Sequence, residues 1–310
     1  MSKKTFVVIG AAGYIARKHV ETIKALDGEV TAIIDPNDSV GYIDALYPAA
    51  KYYANPREYE QAAEVSAPDF FVVCTPNYSH YSLARWGLSS GSDVICEKPV
   101  VLDPASIQQL IKDEGRHGHR VYPIVQLRCL PGVQERAKFF GGIYDAPIHP
   151  HDRDQVQISY STPRGDWYHK SWKGDPDKSG GLLMNIGVHL FDLMCWIYGP
   201  PLGYSITQPG AGPCAGHGTM LEGTVEFKIA HLRWHLSISQ YFPAVRVITT
   251  PTGTIDVSNM GGLHRTAYES ILRGEGFTLE STEPAIRLVS AMTEKVHHKL
   301  SIDNSQEAPA

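Results

Sequence analysis

Cysteine is scarce in this chain: five in 310 residues, at positions 74, 96, 129, 195 and 214, with no CxxC pair. An odd, widely spaced set builds neither a disulfide framework nor a Cys-rich zinc site, and reads as buried free thiols. Positive charge is not in excess. Twenty-eight Lys and Arg stand against 33 Asp and Glu, a formal charge of −5. That balance argues against a phosphate backbone as the main partner, so no nucleic acid is expected. Long hydrophobic runs are missing too, none approaching the roughly 18 consecutive apolar residues that suit a membrane span. Met1 to Ile9 carries two lysines and a short apolar run, without the hydrophobic core and small-residue cleavage site of a secretion signal. A cytoplasmic protein with no membrane partner is the expectation. Internal repeats and low-complexity tracts are absent as well. What is present is an ordinary globular composition, 43% hydrophobic, 20% charged and 10% aromatic. At roughly 100 to 200 residues per domain, the length predicts two domains.

Thr5 to Ile9 reads as a strand, followed at once by GAAGYIA and a helical stretch, His19 to Leu26. The next apolar run, Val30 to Ile34, ends in Asp35 and completes a βαβ unit. Further strands are expected at Phe70 to Cys74, Asp93 to Cys96 and Val121 to Val125, with helices at Ser79 to Leu88 and Pro104 to Glu114. Residues 1–123 therefore read as a doubly wound parallel α/β domain. Beyond Gln126 the pattern changes. Gln155 to Ser161, Gly203 to Thr207, Gly223 to Lys228, His231 to Ser239 and Ala244 to Thr250 are strand-like, with few helices between them. They predict an α+β domain over 124–310 with a largely antiparallel open sheet. Gly180 to Tyr198 is expected to be helical, as is Thr282 to His298, begun by Thr282, Glu283 and Pro284; the last ten residues read as a frayed tail.

Gly10, Gly13 and Ala16 make G-x-x-G-x-x-A, its glycines one residue further apart than in G-x-G-x-x-G. Glycine is needed where a turn is tight and backbone must approach a pyrophosphate whose charge rests on a helix N-terminus. The expected contacts are Gly10, Ala12, Gly13, Tyr14 and Ile15. The pattern gains weight from the strand before it, the helix after it, and Asp35, placed where a carboxylate accepts both adenosine-ribose hydroxyls. Asp35 would also repel the 2′-phosphate of NADP, and no Arg follows in DPNDS, so NAD is the expected cofactor. Cys74-Thr75-Pro76-Asn77, with His80 three further on, stands at a carboxyl edge where open α/β sheets bind ligands. A nicotinamide subsite and an ordinary Pro-Asn turn account for it equally well on residue chemistry alone.

Glu97-Lys98-Pro99 follows the strand DVIC. Together with GAAGYIA, TPNYSH and GGLLMNIGVHLFD, in that order over most of the chain, it closely resembles the glucose-fructose oxidoreductase, inositol dehydrogenase (Gfo/Idh/MocA) family. The resemblance implies a Rossmann domain followed by a sheet domain and an active-site lysine, Lys98, from EKP. It also implies nicotinamide-side contacts from Thr75, Pro76, Asn77, His80, Glu97 and Gln126, and a second active-site group in His189, at the head of a helix on the sheet domain. The chemistry is coherent: hydride removal from an alcohol needs one group to take the hydroxyl proton and a cation to stabilise the alkoxide. His189 suits the first task and Lys98 the second, with the formal base left open between them. Many family members carry Asp four residues before the histidine. Here that position is Asn185, whose amide accepts no proton at neutral pH and is expected to hydrogen-bond substrate or cofactor.

The segment RGDWYHKSWKGD, Arg164 to Asp175, followed by Lys178-Ser-Gly-Gly, resembles the branch that oxidises UDP-N-acetylglucosaminuronate at C3 for bacterial surface polysaccharide (O-antigen). A nucleotide sugar acid carries a diphosphate and a carboxylate, so its pocket needs cations, and aromatic faces suit sugar and base. Arg164, Lys170 and Lys173 beside Trp167, Tyr168 and Trp172 supply both, with Arg128 a further anion candidate. The same loop would also suit packing on a partner subunit. Two other functions are carried: oxidation of a different sugar, an inositol or a dihydrodiol, and a non-catalytic nicotinamide-nucleotide sensor, against which Lys98 and His189 speak. The histidine pairs 117/119, 149/151 and 297/298 match no zinc template, and no metal is expected. The alternating strands from Gly223 to Ser239 leave a sheet face to cover, so a dimer or tetramer is expected.

Overall fold

The structure is a computed structural model that describes residues 3–62, 66–143, 152–207, 219–258 and 260–306. Cys214, His149 and His151 lie outside the described residues. Two compact units are formed, Met1–Gln126 with Gly261–Ser281, and Leu127–Met260 with Thr282–Ala310.

The first unit alternates strand and helix. In order these are β1 (Thr5–Ile9), α1 (Ala16–Ala25), β2 (Glu29–Ile34), α2 (Tyr42–Leu46), β3 (Lys51–Tyr53), α3 (Pro56–Gln61), β4 (Phe70–Val73), α4 (His80–Ser89), β5 (Asp93–Cys96), α5 (Pro104–His117) and β6 (Val121–Pro123). All strands are parallel, in the order β3-β2-β1-β4-β5-β6. Their apolar runs are near-continuous because both faces of a parallel sheet are covered; every residue of β4 is buried. Two helix starts in this unit are signalled by a side-chain cap. Asp103 accepts from the Ser106 N–H ahead of α5, and Asn55 from the Glu58 N–H ahead of α3, each with proline in the first turn. Helix α1, like α4, has no side-chain cap and no acidic residue in its first turn.

The second unit follows with α6 (Val133–Ile143), β7 (Asp154–Ser161), α7 (Asp166–Lys170), α8 (Pro176–Ser179), α9 (Val188–Tyr198), β8 (Gly203–Thr207), β9 (Met220–Glu226), β10 (Ala230–Ser237), β11 (Val245–Thr250) and β12 (Gly253–Asp256). Its sheet runs β12-β11-β7-β10-β9-β8, with β7 and β10 parallel and every other pair antiparallel. Period-two alternation sends Val156, Ile158, Leu232, Trp234 and Leu236 inward and leaves Gln155, Gln157 and Arg233 on the outer face. Phe191 of α9 meets Trp234 edge-on at 5.4 Å, which places α9 on the inner face. The stretch Pro176–Tyr198 is long and apolar enough to cross a membrane, but 78% of its apolar window is buried within the protein, as in a core helix.

Two expectations shift. The chain returns to the first unit through α10 (Leu263–Leu272), whereas all residues beyond 123 were expected in the second domain. The reason is packing: Tyr268 of α10 is fully buried against Phe6 and His19. The last helix, α11 (Leu279–Gln306), begins one turn before Pro284 and runs into the segment expected to fray.

Candidate functional site

In the first unit the dinucleotide turn is built by close backbone approach. Gly10 has φ +84°, and a Cβ there would come within 2.8 Å of the Thr75 nitrogen at the end of β4. Gly13 and Ala16 continue the turn, Gly13 N–H donating to the Gly10 carbonyl and Ala16 N–H to that of Gly13. The uncapped first turn of α1 then leaves its N–H groups without side-chain acceptors, the arrangement that favours an anion. The turn lies between β1 and β4, where the strand order reverses.

Asp35, only 6% exposed, is fixed by two backbone donors, Ala12 N–H to Oδ2 at 2.9 Å and Asn37 N–H to Oδ1 at 2.8 Å. A carboxylate has about four lone-pair directions, so one per oxygen remains, the number a ribose diol requires. Tyr42 and Tyr52 brace the surroundings, donating their hydroxyls to the carbonyls of Ala11 and Asp35. Tyr14 is 88% exposed beside the turn.

The Thr75 to His80 segment follows β4. Thr75 Oγ1 accepts from Ser79 at 2.7 Å, Pro76 is half-buried, and Asn77 is buried. His80, expected to contact the nicotinamide ribose, is 1% exposed with both ring nitrogens on backbone carbonyls, Nδ1 at 2.7 Å from Pro99 O and Nε2 at 2.8 Å from Thr75 O. Burial lowers its pKa and favours the neutral ring, which donates to one of these carbonyls at a time, so the side chain is turned into the protein between the two turns. Glu97 is likewise turned inward, its Oε1 at 2.9 Å from His19 Nε2 and 3.3 Å from His264 Nε2. Burial raises its pKa, but the hydrogen bonds from His19 and then His264 outweigh that and hold it well below the usual carboxylate range. Lys98 is half-buried, its N–H donating to Glu97 Oε2 at 3.2 Å. Gln126 is buried in the turn that closes this part of the unit.

In the second unit the predicted basic and aromatic side chains converge. The Arg164 guanidinium lies 6.0 Å from the Trp167 ring and 5.9 Å from Tyr168, and Lys173 Nζ lies 4.5 Å from Trp172 and 5.7 Å from Trp167. Burial first, and the Arg164 charge second, push the Lys173 pKa down. A bound anion would relieve both. Lys170 is exposed in the last turn of α7 and makes none of these ring contacts. A cavity of about 240 Å³ opens beside Tyr168, Lys173, Gly181 and Leu183, below the roughly 300 to 1,000 Å³ that encloses a whole drug-sized ligand. It suits one part of a larger molecule.

Asn185 lies in a widened π turn, Leu183–Gly187, immediately before α9, and donates to the Tyr168 hydroxyl at 2.8 Å. His189 is the second residue of α9, 7% exposed, meeting Tyr160 edge-on at 5.8 Å. Arg128 is corrected. It is fully buried, forms a two-point pair with Asp192 at 2.8 and 2.6 Å, and stacks on Trp196 at 4.4 Å. A guanidinium so enclosed does not present itself to an outside anion. Sequence reasoning missed Arg246, which pairs across the strands with Tyr160, lies 5.9 Å from its ring and donates to Thr162 at 3.0 Å. Only strand register brings it there. His19 and His264 were missed for the same reason, their contact with Glu97 being nonlocal.

Residues 4–124 match the oxidoreductase family with an NAD-binding Rossmann fold, and residues 154–243 match the GFO/IDH/MocA C-terminal domain. The WlbA (WbpB) dehydrogenase of Thermus thermophilus, crystallised with NAD and UDP-GlcNAcA and also with NAD and alpha-ketoglutarate, is 33% identical with a TM-score of 0.83, 94% of each chain being covered. The WlbA dehydrogenase of Bordetella pertussis shares the fold at 18% identity and a TM-score of 0.76, over 96% of this chain and 98% of that one. An inositol 2-dehydrogenase of Leifsonia xyli is 23% identical over 63% of this chain and 54% of its own length. The matches to the first curated relatives span 38% to 54% of their lengths. With both regions matched, and a relative of 33% identity aligned over nearly its whole length, this chain belongs to the Gfo/Idh/MocA oxidoreductase family and its first unit is an NAD-binding Rossmann domain.

Proposed function

We propose that the chain is an NAD-dependent dehydrogenase that oxidises the C3 hydroxyl of UDP-N-acetylglucosaminuronate, as a step toward bacterial surface polysaccharide. The observation that carries this reading is the gathering of Arg164 and Lys173 around Trp167, Tyr168 and Trp172, with Tyr168 tied to Asn185 beside the turn that leads to His189. Two cations among three aromatic faces suit an anionic sugar nucleotide and have little use for a neutral polyol. Similarity to the Thermus thermophilus protein crystallised with NAD and UDP-GlcNAcA supports it.

The turn at Gly10 and the two remaining lone-pair directions of Asp35 fit NAD. When bound, NAD supplies the hydride acceptor. The protein's own work is then positional and acid-base: Asp35 holds the adenosine ribose, Arg164 and Lys173 hold the anionic groups of the substrate, His189 accepts the hydroxyl proton, and Lys98 stabilises the developing alkoxide. Asn185 orients rather than titrates. The outer face of the second sheet, with Gln157, Thr224, Arg233 and His235 around a shallow depression, is the surface proposed for self-association.

A panel of substrates with NAD, followed at the absorbance band of NADH, tests the reading. UDP-N-acetylglucosaminuronate should be turned over and free sugars, inositols and dihydrodiols should not. Turnover of a neutral polyol at an equal or better kcat/KM would replace this proposal with the inositol-type one.

A further inference from the structure

Lys98 is flanked by two residues whose positions are fixed from below by three buried histidines. On one side Glu97 receives His19 Nε2 at 2.9 Å, His264 Nε2 at 3.3 Å and the N–H of Lys98 at 3.2 Å. On the other, the carbonyl of Pro99 faces His80 Nδ1 at 2.7 Å. The chain extends further down: Tyr268 Oη lies 2.7 Å from His19 Nδ1, and the rings of His19 and His264 meet edge-on at 5.1 Å. His19, His80 and Tyr268 are at most 1% exposed, and Glu97 and His264 are 5% exposed.

One hydrogen arrangement satisfies the inner chain with neutral rings. Tyr268 donates to His19 Nδ1, His19 Nε2–H donates to Glu97 Oε1, His264 Nε2–H donates to the same oxygen, and the Lys98 amide donates to Oε2. A buried carboxylate with three donors is held in place far more firmly than an exposed one. His264 and Tyr268 come from α10, the helix through which the chain revisits this unit.

We propose that His264 and His19 are positioning residues that fix Lys98 through Glu97, so that its ammonium is presented in one geometry. This rests on the reading of Lys98 as the group that stabilises the alkoxide. His19, Glu97 and His264 are also chemically a cation-ligand set. Their atoms already lie at hydrogen-bond distances within a closed site, and the proton network accounts for all of them.

The test uses the purified full-length protein with NAD and UDP-N-acetylglucosaminuronate. His264→Ala should lower kcat about ten- to a hundredfold, the scale of a misplacement of about an ångström, with KM for both ligands within about twofold. His264→Gln, which keeps an N–H donor at similar reach, should recover most of the loss, and it serves as the working variant if the alanine protein does not fold. Adding His264→Ala to Lys98→Ala should cost nothing further, because His264 acts only through Lys98. Independently of activity, exchange of the Glu97 and Lys98 backbone amides should accelerate in His264→Ala. If Lys98→Ala is inactive while His264→Ala keeps its kcat, the network proposal is overturned and the functional reading survives. If Lys98→Ala is active, the functional reading fails instead, and amide exchange alone decides whether the network fixes the backbone. Unchanged exchange, or one equivalent of zinc in the purified protein, overturns it.

Discussion

Asn185 donates its side-chain amide to the Tyr168 hydroxyl across 2.8 Å, joining a widened turn of the central helix to a loop seventeen residues earlier. Both residues are buried. Burial raises the Tyr168 pKa and keeps it a phenol, with a proton of its own still to donate. The basic loop and the approach to His189 are thus held by one bond.

Removing that bond should be measurable. Asn185→Ala leaves a buried hydroxyl short of a donor, a loss of about 1 to 3 kcal/mol. Urea unfolding should show it, together with a raised KM for the sugar nucleotide. An unchanged KM would place Tyr168 outside the substrate site.

Lys98→Ala and His189→Ala should each lower kcat by about 10² to 10⁴ with circular dichroism unchanged. If the two side chains handle one proton, the double variant loses less than the product of the single losses. Simple multiplication of those losses would separate their roles.

Asp35→Ala should weaken NAD binding and narrow its preference over NADP. The ribose bonds and the repulsion of a 2′-phosphate vanish together. Titration of both cofactors reads this directly. A wild-type preference for NADP would contradict the assignment. The same change removes the acceptor of the Ala12 and Asn37 N–H groups, so the melting temperature should fall as well.

Arg164→Met and Lys173→Met keep much of the apolar stem while deleting the charge. KM for the sugar nucleotide should rise about ten- to more than a hundredfold, the scale of one charged hydrogen bond of about 1.5 to 3 kcal/mol, with KM for NAD unmoved. Normal kinetics in both variants would assign the loop another task.

Stability should also respond to pH. Burial holds the His19 pKa below its ordinary value of 6.5, against the opposing pull of Glu97. Below that value the unfolded chain binds a proton there that the folded protein refuses, so stability falls as pH drops from about 6.5 toward the folded pKa, by at most about 1.4 kcal/mol per pH unit. Above 6.5 this contribution is complete. Glu97, whose folded pKa lies below 4.5, adds its own loss only under more acid conditions. Urea unfolding from pH 5 to 8 should therefore show a slope that is flatter in His19→Gln; equal slopes would mean that His19 is charged in the folded state.

Much of the first unit is legible because its signals are local. A strand, a glycine turn, a helix and Asp35 follow one another between Thr5 and Asp35, and sequence spacing alone suffices to place them. The loop from Arg164 to Lys173 is legible for the same reason. Arg128 was misread because charge predicts exposure only on average, and nothing in a linear chain announces that Asp192 and Trp196 will enclose it. Arg246 needed the β7–β11 register, and His264 needed the fold itself. Of the fold, the edge strands β3 and β12 were invisible, because neither KYY nor GTID is an apolar run of the kind that marks β6 at a similar length.

The route of the chain through its two units has a practical meaning. The backbone crosses from one to the other after Gln126, after Met260 and after Ser281, so no single cut separates them. A fragment ending near residue 126 would lack α10, stripping Tyr268 from His19 and one imidazole from Glu97 while baring apolar surface around Phe6 and Ile23. Such a piece should aggregate or stay partly unfolded. Splicing residues 261–281 onto it through a flexible tether should restore a cooperative transition and NAD binding, as expected of a folding unit that the chain builds from two separate stretches.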